Sequence, residues 1–181
     1  MLRKTRRRPF RRALTENGEF ENWDEMWAAV GPSFKERVDS IARYLYQELN
    51  DASEAVEMDY GVFIKPDSTA DEMEEGSYWY NIQFENKDGE ELPMIDVQFE
   101  VVDSEEYDGL DDDGSWMGAN VSVSITGEGG EMYGGLTPYN YSDRVWTKDP
   151  AELEERMDML DMHELAAYLL DEVLPEHLRD I

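Results

Sequence analysis

The stretch that decides the fold is YWYNIQFENKDGEELPMIDVQFEV, residues 78–101. In both of its halves large apolar residues alternate with more polar ones, which is the period-two pattern of a strand with one buried face. Between the halves, residues 86–89 are Asn-Lys-Asp-Gly, a typical hairpin turn with Gly suited to the left-handed position. The stretch therefore predicts two antiparallel strands joined by a tight turn.

The same alternation continues on both sides of this hairpin. Residues 56–65 predict a strand before it, residues 120–126 a strand after it, and residues 132–141 a fifth, glycine-interrupted strand. Acidic loops are predicted over 66–76 and 103–116. Since no connection is long enough for a crossover helix, the strands should form an antiparallel meander.

Helical periodicity flanks the strands. Apolar residues recur at helical spacing over 22–30, Gly31-Pro32 is expected to interrupt the helix, and a capping box at Ser33 restarts it to about Asn50. Residues 149–175 predict two C-terminal helices, the second ending at its proline. The expected fold is α+β: a 4–5-stranded antiparallel meander sheet with N-terminal and C-terminal helices packed on one face, plus a basic N-terminal arm. Residues 1–21 are predicted to be the arm and connector, and residues 22–181 one acidic domain.

The strand pattern assigns a face to each side chain. Helices are expected to cover the face made by Tyr60, Tyr80, Ile82, Phe99 and Val123. The opposite face is polar and acidic, and it is either a solvated surface or a flat contact face with a tryptophan as its anchor. The residues predicted for this acidic contact face are Glu57, Asp59, Trp79, Glu85, Asp96 and Glu100.

Charge is divided sharply along the chain. Seven of the sixteen basic residues lie in residues 1–12, which contain no acid, while the rest of the chain carries all 44 Asp and Glu against nine Lys and Arg. The arm is therefore +7 and the body −35. Arg-rich segments bind phosphate backbones or acidic protein surfaces, including another copy of this body. The predicted partner-binding arm consists of Arg3, Lys4, Arg6, Arg7, Arg8, Arg11 and Arg12.

The acidity of the body has two competing interpretations. Scarce lysine with abundant carboxylates is expected of a protein kept soluble in concentrated salt. Alternatively, carboxylates imitate nucleic-acid phosphates and occupy the groove of a basic DNA-binding protein. The loop residues assigned to this role are Asp71, Glu74, Glu75, Glu105, Asp111, Asp112 and Asp113.

Few residues suggest catalysis or metal binding. The chain has no cysteine, and His163 and His177 are fourteen residues apart, which does not match a metal-binding spacing. Asp111, Asp113 and Gly114 fit part of a calcium loop, but two ligand positions hold Gly109 and Asn120 instead. No metal or cofactor is expected, and no nucleophile motif points to an enzyme.

These observations favour a non-enzymatic assembly or interaction protein, such as a virus or phage particle component from a high-salt setting. Its arm would bind a neighbouring subunit or nucleic acid, and its partners would be sister subunits or a larger assembly. The alternative is an acidic nucleic-acid mimic that inhibits a host DNA-binding defence protein. Without an apolar run of roughly 20 residues or a signal-peptide core, the expected location is cytoplasmic or in a virion, and no membrane association is predicted.

Overall fold

A computed structural model describes residues 18–105, 115–128 and 146–181 in full and residues 132–134 by their backbone. The predicted arm at 1–12 and the acids at 111–113 lie outside the described residues. The helices are α1 (Trp23–Tyr60), α2 (Pro150–Asp158), α3 (Met162–Tyr168) and α4 (Leu174–Asp180). The strands are β1 (Val62–Pro66), β2 (Asp71–Glu74), β3 (Ser77–Asn86), β4 (Glu91–Asp103), β5 (Ala119–Gly127) and β6 (Met132–Gly134).

The described strands form one antiparallel sheet in the order β1-β3-β4-β5-β6. Short β2 pairs with the beginning of β3, and β1 pairs with its end, so both lie along the same edge. From β3 onward each strand pairs with the next one in sequence. The predicted α+β class with an antiparallel sheet is confirmed.

The turn between β3 and β4 has the predicted chemistry. The Oδ1 atom of Asn86 accepts hydrogen bonds from the backbone N–H groups of Asp88 (2.9 Å) and Glu90 (3.0 Å). Gly89 has a φ of 80°, which an L side chain rarely adopts. The local sequence therefore fixes the register of the hairpin.

The helices cover one face of the sheet. Ile41 of α1 and Leu165 of α3 line a small gap together with Phe99 and Val123 of the sheet. The rings of Phe34 in α1 and Tyr78 in β3 meet edge to face at 5.9 Å. The buried residues of this core include Phe34, Val38, Ile41, Leu45, Leu49, Tyr78, Tyr80, Ile82, Phe84, Ile95, Val97, Phe99, Val121, Val123, Ile125, Leu153, Met157, Leu165 and Leu169.

The predicted break at Gly31-Pro32 is wrong, because α1 continues through both residues. The predicted start is confirmed: α1 begins at Trp23, and Oδ1 of its N-cap Asn22 accepts the N–H of Glu25 at 3.0 Å. An interior proline costs one backbone hydrogen bond and about 3 kcal/mol. The buried face that includes Val30 and Phe34 on either side of the proline offsets this cost.

The predicted start of the first strand is also wrong. Residues 56–60 are the last turns of α1, so Glu57 and Asp59 lie exposed on a helix rather than on the sheet, and Tyr60 is not part of the covered face. Gly61 ends the helix with a φ of 71°, and its N–H donates to the Glu57 carbonyl at 2.9 Å. Alternation over five residues was coincidental, whereas the glycine C-cap marked the true boundary.

The last helical segment does not end at Pro175. A π-helical turn, Leu169–Val173, leads directly into α4, which contains Pro175 in its first turn. A widened turn relieves the clash between a proline ring and the preceding carbonyls. The helix continues beyond the proline because this buries His177 and Leu178, which stabilises the fold.

Two further differences concern short strands. The predicted loop 66–76 contains β2, whose four residues Asp71–Glu74 are all exposed. No hydrophobic alternation signals such a strand, and its three carboxylates protect the sheet edge against pairing with other chains. The described part of the predicted fifth strand is β6, and residues 135–141 lie outside the described residues.

Candidate functional site

The side of the sheet opposite the core helices is polar. Strand pairing places Trp79 beside Gln98, Asn81 beside Asp96 and Ser77 beside Glu100. We call this surface the polar sheet face and define it by Ser77, Trp79, Asn81, Gln83, Glu85, Asp96, Gln98, Glu100, Asn120, Ser122 and Ser124. Of the six residues predicted for the acidic contact face, Trp79, Glu85, Asp96 and Glu100 lie here, and Glu57 and Asp59 do not.

This face is less solvated than a free surface. Asn120 and Ser122 are each only 2% exposed, and the nearby Trp79 and Glu100 are half-buried. The hydroxyl of Ser77 donates to Glu100 at 3.3 Å, and the side-chain amide of Gln98 donates to the same oxygen. Glu100 is therefore part of an internal network rather than an exposed charge.

Asp96 has a different environment. Its Oδ1 atom is buried and has no hydrogen-bond partner among the described residues, because the amide of the opposite Asn81 donates to Asp67 at 3.1 Å. Burial, and then the charges of Glu128 and Asp67, raise the pKa of Asp96 above its ordinary value. Among the described residues no positive charge contributes to stabilising the ionised form of this carboxylate.

A β-bulge opens a groove next to Asp96. Between the paired positions Ile82–Ile95 and Phe84–Leu92, β4 has two residues, Pro93 and Met94, opposite the single residue Gln83 of β3. Proline cannot donate to a ladder, so it favours such an irregularity. The resulting cavity has a volume of about 350 Å³. We call it the hairpin groove, and it is lined by Gln83, Phe84, Glu85, Glu91, Leu92, Pro93, Met94 and Glu128.

The lining of the hairpin groove combines apolar and anionic groups. Leu92, Pro93 and Met94 supply apolar surface, whereas Glu85, Glu91 and Glu128 supply three carboxylates. Glu91 and Glu128 are exposed, and Glu85 forms an ion pair with Lys65. A groove of this composition suits a long cationic side chain, which buries its aliphatic stem and presents its charge to carboxylates.

A second cavity, of about 430 Å³, lies between α1 and the junction of α2 with α3. Its lining includes Arg37, Asp158 and His163. Arg37 forms ion pairs with Glu154 and Asp158, and His163 Nδ1 lies 2.8 Å from the Tyr44 hydroxyl. These contacts join α1 to α2 and α3.

The other predicted acids that the structure describes lie in β2, directly after β2 and after β4. Asp71 and Glu74 lie on β2, and Glu75 accepts a hydrogen bond from Trp23 Nε1 at 2.6 Å. Glu105 follows β4 and donates its N–H to Asp103 at 3.1 Å. Asp71, Glu74 and Glu75 lie close together in sequence at one edge of the sheet, and Asp111 to Asp113 lie outside the described residues, so a shared acidic loop surface stays a prediction.

A clamp between β4 and β5 was not predicted from the sequence. The buried Ser104 accepts hydrogen bonds from the N–H groups of Met117 (3.1 Å) and Gly118 (3.2 Å). Its own N–H donates to the Gly118 carbonyl at 3.0 Å, and Asp103 accepts the Trp116 indole N–H at 2.6 Å. Serine and glycine in an acidic loop carry no periodic signal that would have identified this contact.

The described residues contain no cluster of three or more His, Asp or Glu side chains arranged to hold a metal ion. Among the helices in the described ranges, none is long and apolar enough to cross a bilayer. Comparison with known family models, curated proteins and solved structures finds no match to this chain. Any functional conclusion therefore depends on the residues themselves.

Proposed function

We propose that this chain is a non-enzymatic interaction protein that acts as a subunit of a larger assembly, such as a virus or phage particle. Its Arg-rich arm, residues 1–12, binds a neighbouring protein subunit or nucleic acid, and its acidic α+β body forms protein contacts. The observation that carries this proposal is the separation of charge. An acid-free segment of +7 is joined to a body of −35.

Three of the eight cations in the described part of the body are held in ion pairs. Arg37 is paired with Glu154 and Asp158, Lys65 with Glu85, and the buried Arg156 with Glu152 at 2.6 Å. Cations held in this way are poor ligands for phosphate. Nucleic acid would therefore be contacted by the arm, while the body would repel it.

The two histidines support a non-enzymatic role. Nε2 of His177 lies 2.7 Å from the Pro93 carbonyl oxygen, and this side chain is 2% exposed. His163 meets the Tyr44 hydroxyl, as described above. Both imidazoles thus make contacts that hold helices to the rest of the fold.

The nucleic-acid mimic is the less favoured alternative. A mimic needs exposed carboxylates that face its partner, but Asp96 and Glu100 are half-buried and Glu100 is bonded within the sheet face. Glu57 and Asp59, which were assigned to the same face, lie on α1. The +7 arm also adds nothing to the binding of a basic partner.

The test is a comparison of the full chain with a variant in which Arg6, Arg7, Arg8 and Arg11 are replaced by glutamine, and with a deletion of residues 1–12. We expect both changes to leave the circular dichroism spectrum of the body unchanged and to abolish oligomerisation or incorporation into the assembly. Duplex DNA added to the chain that lacks residues 1–12 separates the alternatives, since the acidic body of a mimic still binds a basic partner and loses it to DNA, whereas an arm-driven assembly has already been lost. Unchanged assembly without the arm charges would refute the proposal.

A further inference from the structure

The hairpin groove has the chemistry of an arginine receptor. Its accessible apolar lining is Leu92, Pro93 and Met94. Among the described residues the exposed carboxylates of Glu91 and Glu128 form no ion pair, and Oε2 of Glu128 accepts the N–H of Met94 at 3.3 Å. A guanidinium can bond carboxylates in a bidentate manner while its stem covers apolar surface. The nearby Asp96 adds negative charge from a carboxylate whose buried oxygen has no partner among the described residues.

The chain contains one segment that matches this receptor. Residues 1–12 hold six arginines and one lysine, and Pro9 and Phe10 add apolar surface to them. The segment has no acid that would repel the groove. Charge complementarity therefore identifies the arm as its occupant.

The point where the arm joins the body indicates which copy supplies it. The N–H of Phe20 donates to the Lys148 carbonyl at 2.9 Å, and the preceding Thr147 pairs with Ala119. Ala119 in turn pairs with Asp103, the last residue of β4. The described part of the chain that follows the arm is thus anchored at the end of β4 that is farthest from the hairpin groove.

The length of β4 sets the distance to be spanned. Pro93 is ten residues before Asp103, which corresponds to about 34 Å along a strand. Arg12 is six residues before Gly18 and reaches at most about 21 Å when fully extended. Ten residues, the separation of Arg8 from Gly18, span about 35 Å when straight but only about 17 Å on average as a flexible chain. Arg11 and Arg12 cannot reach the groove of the same chain, and Arg3 to Arg8 can reach it only when the connecting segment is largely extended, which favours a groove on another copy.

We infer that the hairpin groove binds the arginine-rich arm of a second copy of this chain, so that copies join head to tail. This inference depends on the proposed function and specifies its partner. The contact is heterologous, because an arm at one end of the sheet meets a groove at the other. Repetition of such a contact forms a ring if the rotation closes and a filament if it does not.

The first experiment measures self-association of the full chain by analytical ultracentrifugation. The groove variant carries Glu91→Gln and Glu128→Gln, which leaves the Glu85–Lys65 ion pair intact. The matched control carries Asp51→Asn and Glu54→Gln, two exposed carboxylates on α1 that do not line the groove. We expect the groove variant to lose about tenfold or more in association constant for each charge-assisted contact removed, and the control to associate like the wild type.

The second experiment mixes two variants that each carry a charge reversal, one in the hairpin groove and one in the arm. A chain with Glu91→Lys and Glu128→Lys and a chain with Arg6→Glu, Arg7→Glu and Arg8→Glu should each fail to self-associate. Mixed together they should form complexes, because the intact arm of the first chain meets the intact groove of the second. Such rescue excludes misfolding as the cause of the loss.

The outcomes separate the two proposals. If neutralising the arm abolishes assembly while the groove variant assembles normally, the hairpin groove is not the receptor, although the proposed function stands. If the wild-type chain is monomeric at every concentration, or if mixing gives no complex, the inference is wrong. If arm neutralisation has no effect on any assembly, the proposed function itself is refuted.

Discussion

Replacing Gly118 by alanine tests the clamp that joins the end of β4 to the start of β5. Gly118 has a φ of 119°, a conformation that side chains with a Cβ rarely adopt. A Cβ built on this residue would lie 2.2 Å from the carbonyl oxygen of Thr147 and 2.3 Å from its carbonyl carbon. Because these are backbone atoms, a side-chain rotation cannot relieve the contact.

The loss of stability in Gly118→Ala can be worked out from the backbone hydrogen bonds that the added methyl group would break. Ala119 and Thr147 exchange two backbone hydrogen bonds of 2.9 and 3.0 Å directly beside Gly118. Their loss costs about 1 kcal/mol each. Backbone strain at an unfavourable φ adds about 1–3 kcal/mol. We therefore expect Gly118→Ala to lower the free energy of unfolding by about 3–5 kcal/mol.

Gly89→Ala is the matched control. Gly89 has a φ of 80°, but no atom lies within 4 Å of a Cβ built there. Only the left-handed conformation is penalised, at about 1–2 kcal/mol. Urea denaturation followed by far-UV circular dichroism measures both variants. If the two alanines destabilise the protein equally, steric contact with Thr147 does not govern this junction and the reasoning is wrong.

The remaining predictions concern buried polar groups. Tyr80→Phe should raise the free energy of unfolding by about 1 kcal/mol, because the buried Tyr80 hydroxyl has no hydrogen-bond partner among the described residues; a loss of stability in urea would show that the hydroxyl is bonded. Burial, with the charges of Glu128 and Asp67, raises the pKa of Asp96, so ionised Asp96 destabilises the folded state at neutral pH. Asp96→Asn should therefore raise the free energy of unfolding at pH 7. The gain in stability should disappear below the ordinary pKa of 3.8, where the carboxyl is protonated in both the folded and the unfolded chain. Equal effects of Asp96→Asn at pH 3 and pH 7 would contradict this. Burial also raises the pKa of Tyr78 to about 12 from an ordinary value of 10. The contribution of Tyr78 to stability is therefore complete below pH 10. Between pH 10 and about pH 12 the free energy of unfolding falls by about 1.4 kcal/mol per pH unit. Tyr78→Phe should reduce this alkaline slope in urea titrations, and an unchanged slope would contradict the assignment.

Periodicity predicted the centre of the sheet because burial and turn chemistry agree there. In residues 78–101 the alternation places Tyr80 and Phe99 in the core, and the Asn86–Gly89 turn sets the register. The helix starts at Asn22 and Asp149 were predicted correctly, but the break at Pro32 and the stop at Pro175 were not, because local rules leave out the burial of side chains in the core. Pro32 weakens a helix locally, but Val30 and Phe34 are buried on either side of it.

The candidate site was predicted only in part. Alternation placed Trp79, Glu85, Asp96 and Glu100 on one face, since side chains in a regular strand alternate strictly. The hairpin groove depends on an irregularity, and a period-two pattern contains no information about an inserted residue. Pro93 in the middle of a strand was the available signal, because proline in a sheet favours bulges.

The apolar lining of the groove also bears on the acidity of the body. If the negative charge is an adaptation to concentrated salt, the screening length at 1 M is about 3 Å, and exposed ion pairs between copies would contribute little. An arginine that covers Leu92 and Met94 still gains from burial, which concentrated salt does not screen. Head-to-tail association should therefore weaken between low and moderate salt as Glu91 and Glu128 are screened, and then reach a plateau. Association that continues to fall toward zero in molar salt would show that the apolar lining makes no contribution and that the arm is bound by charge alone.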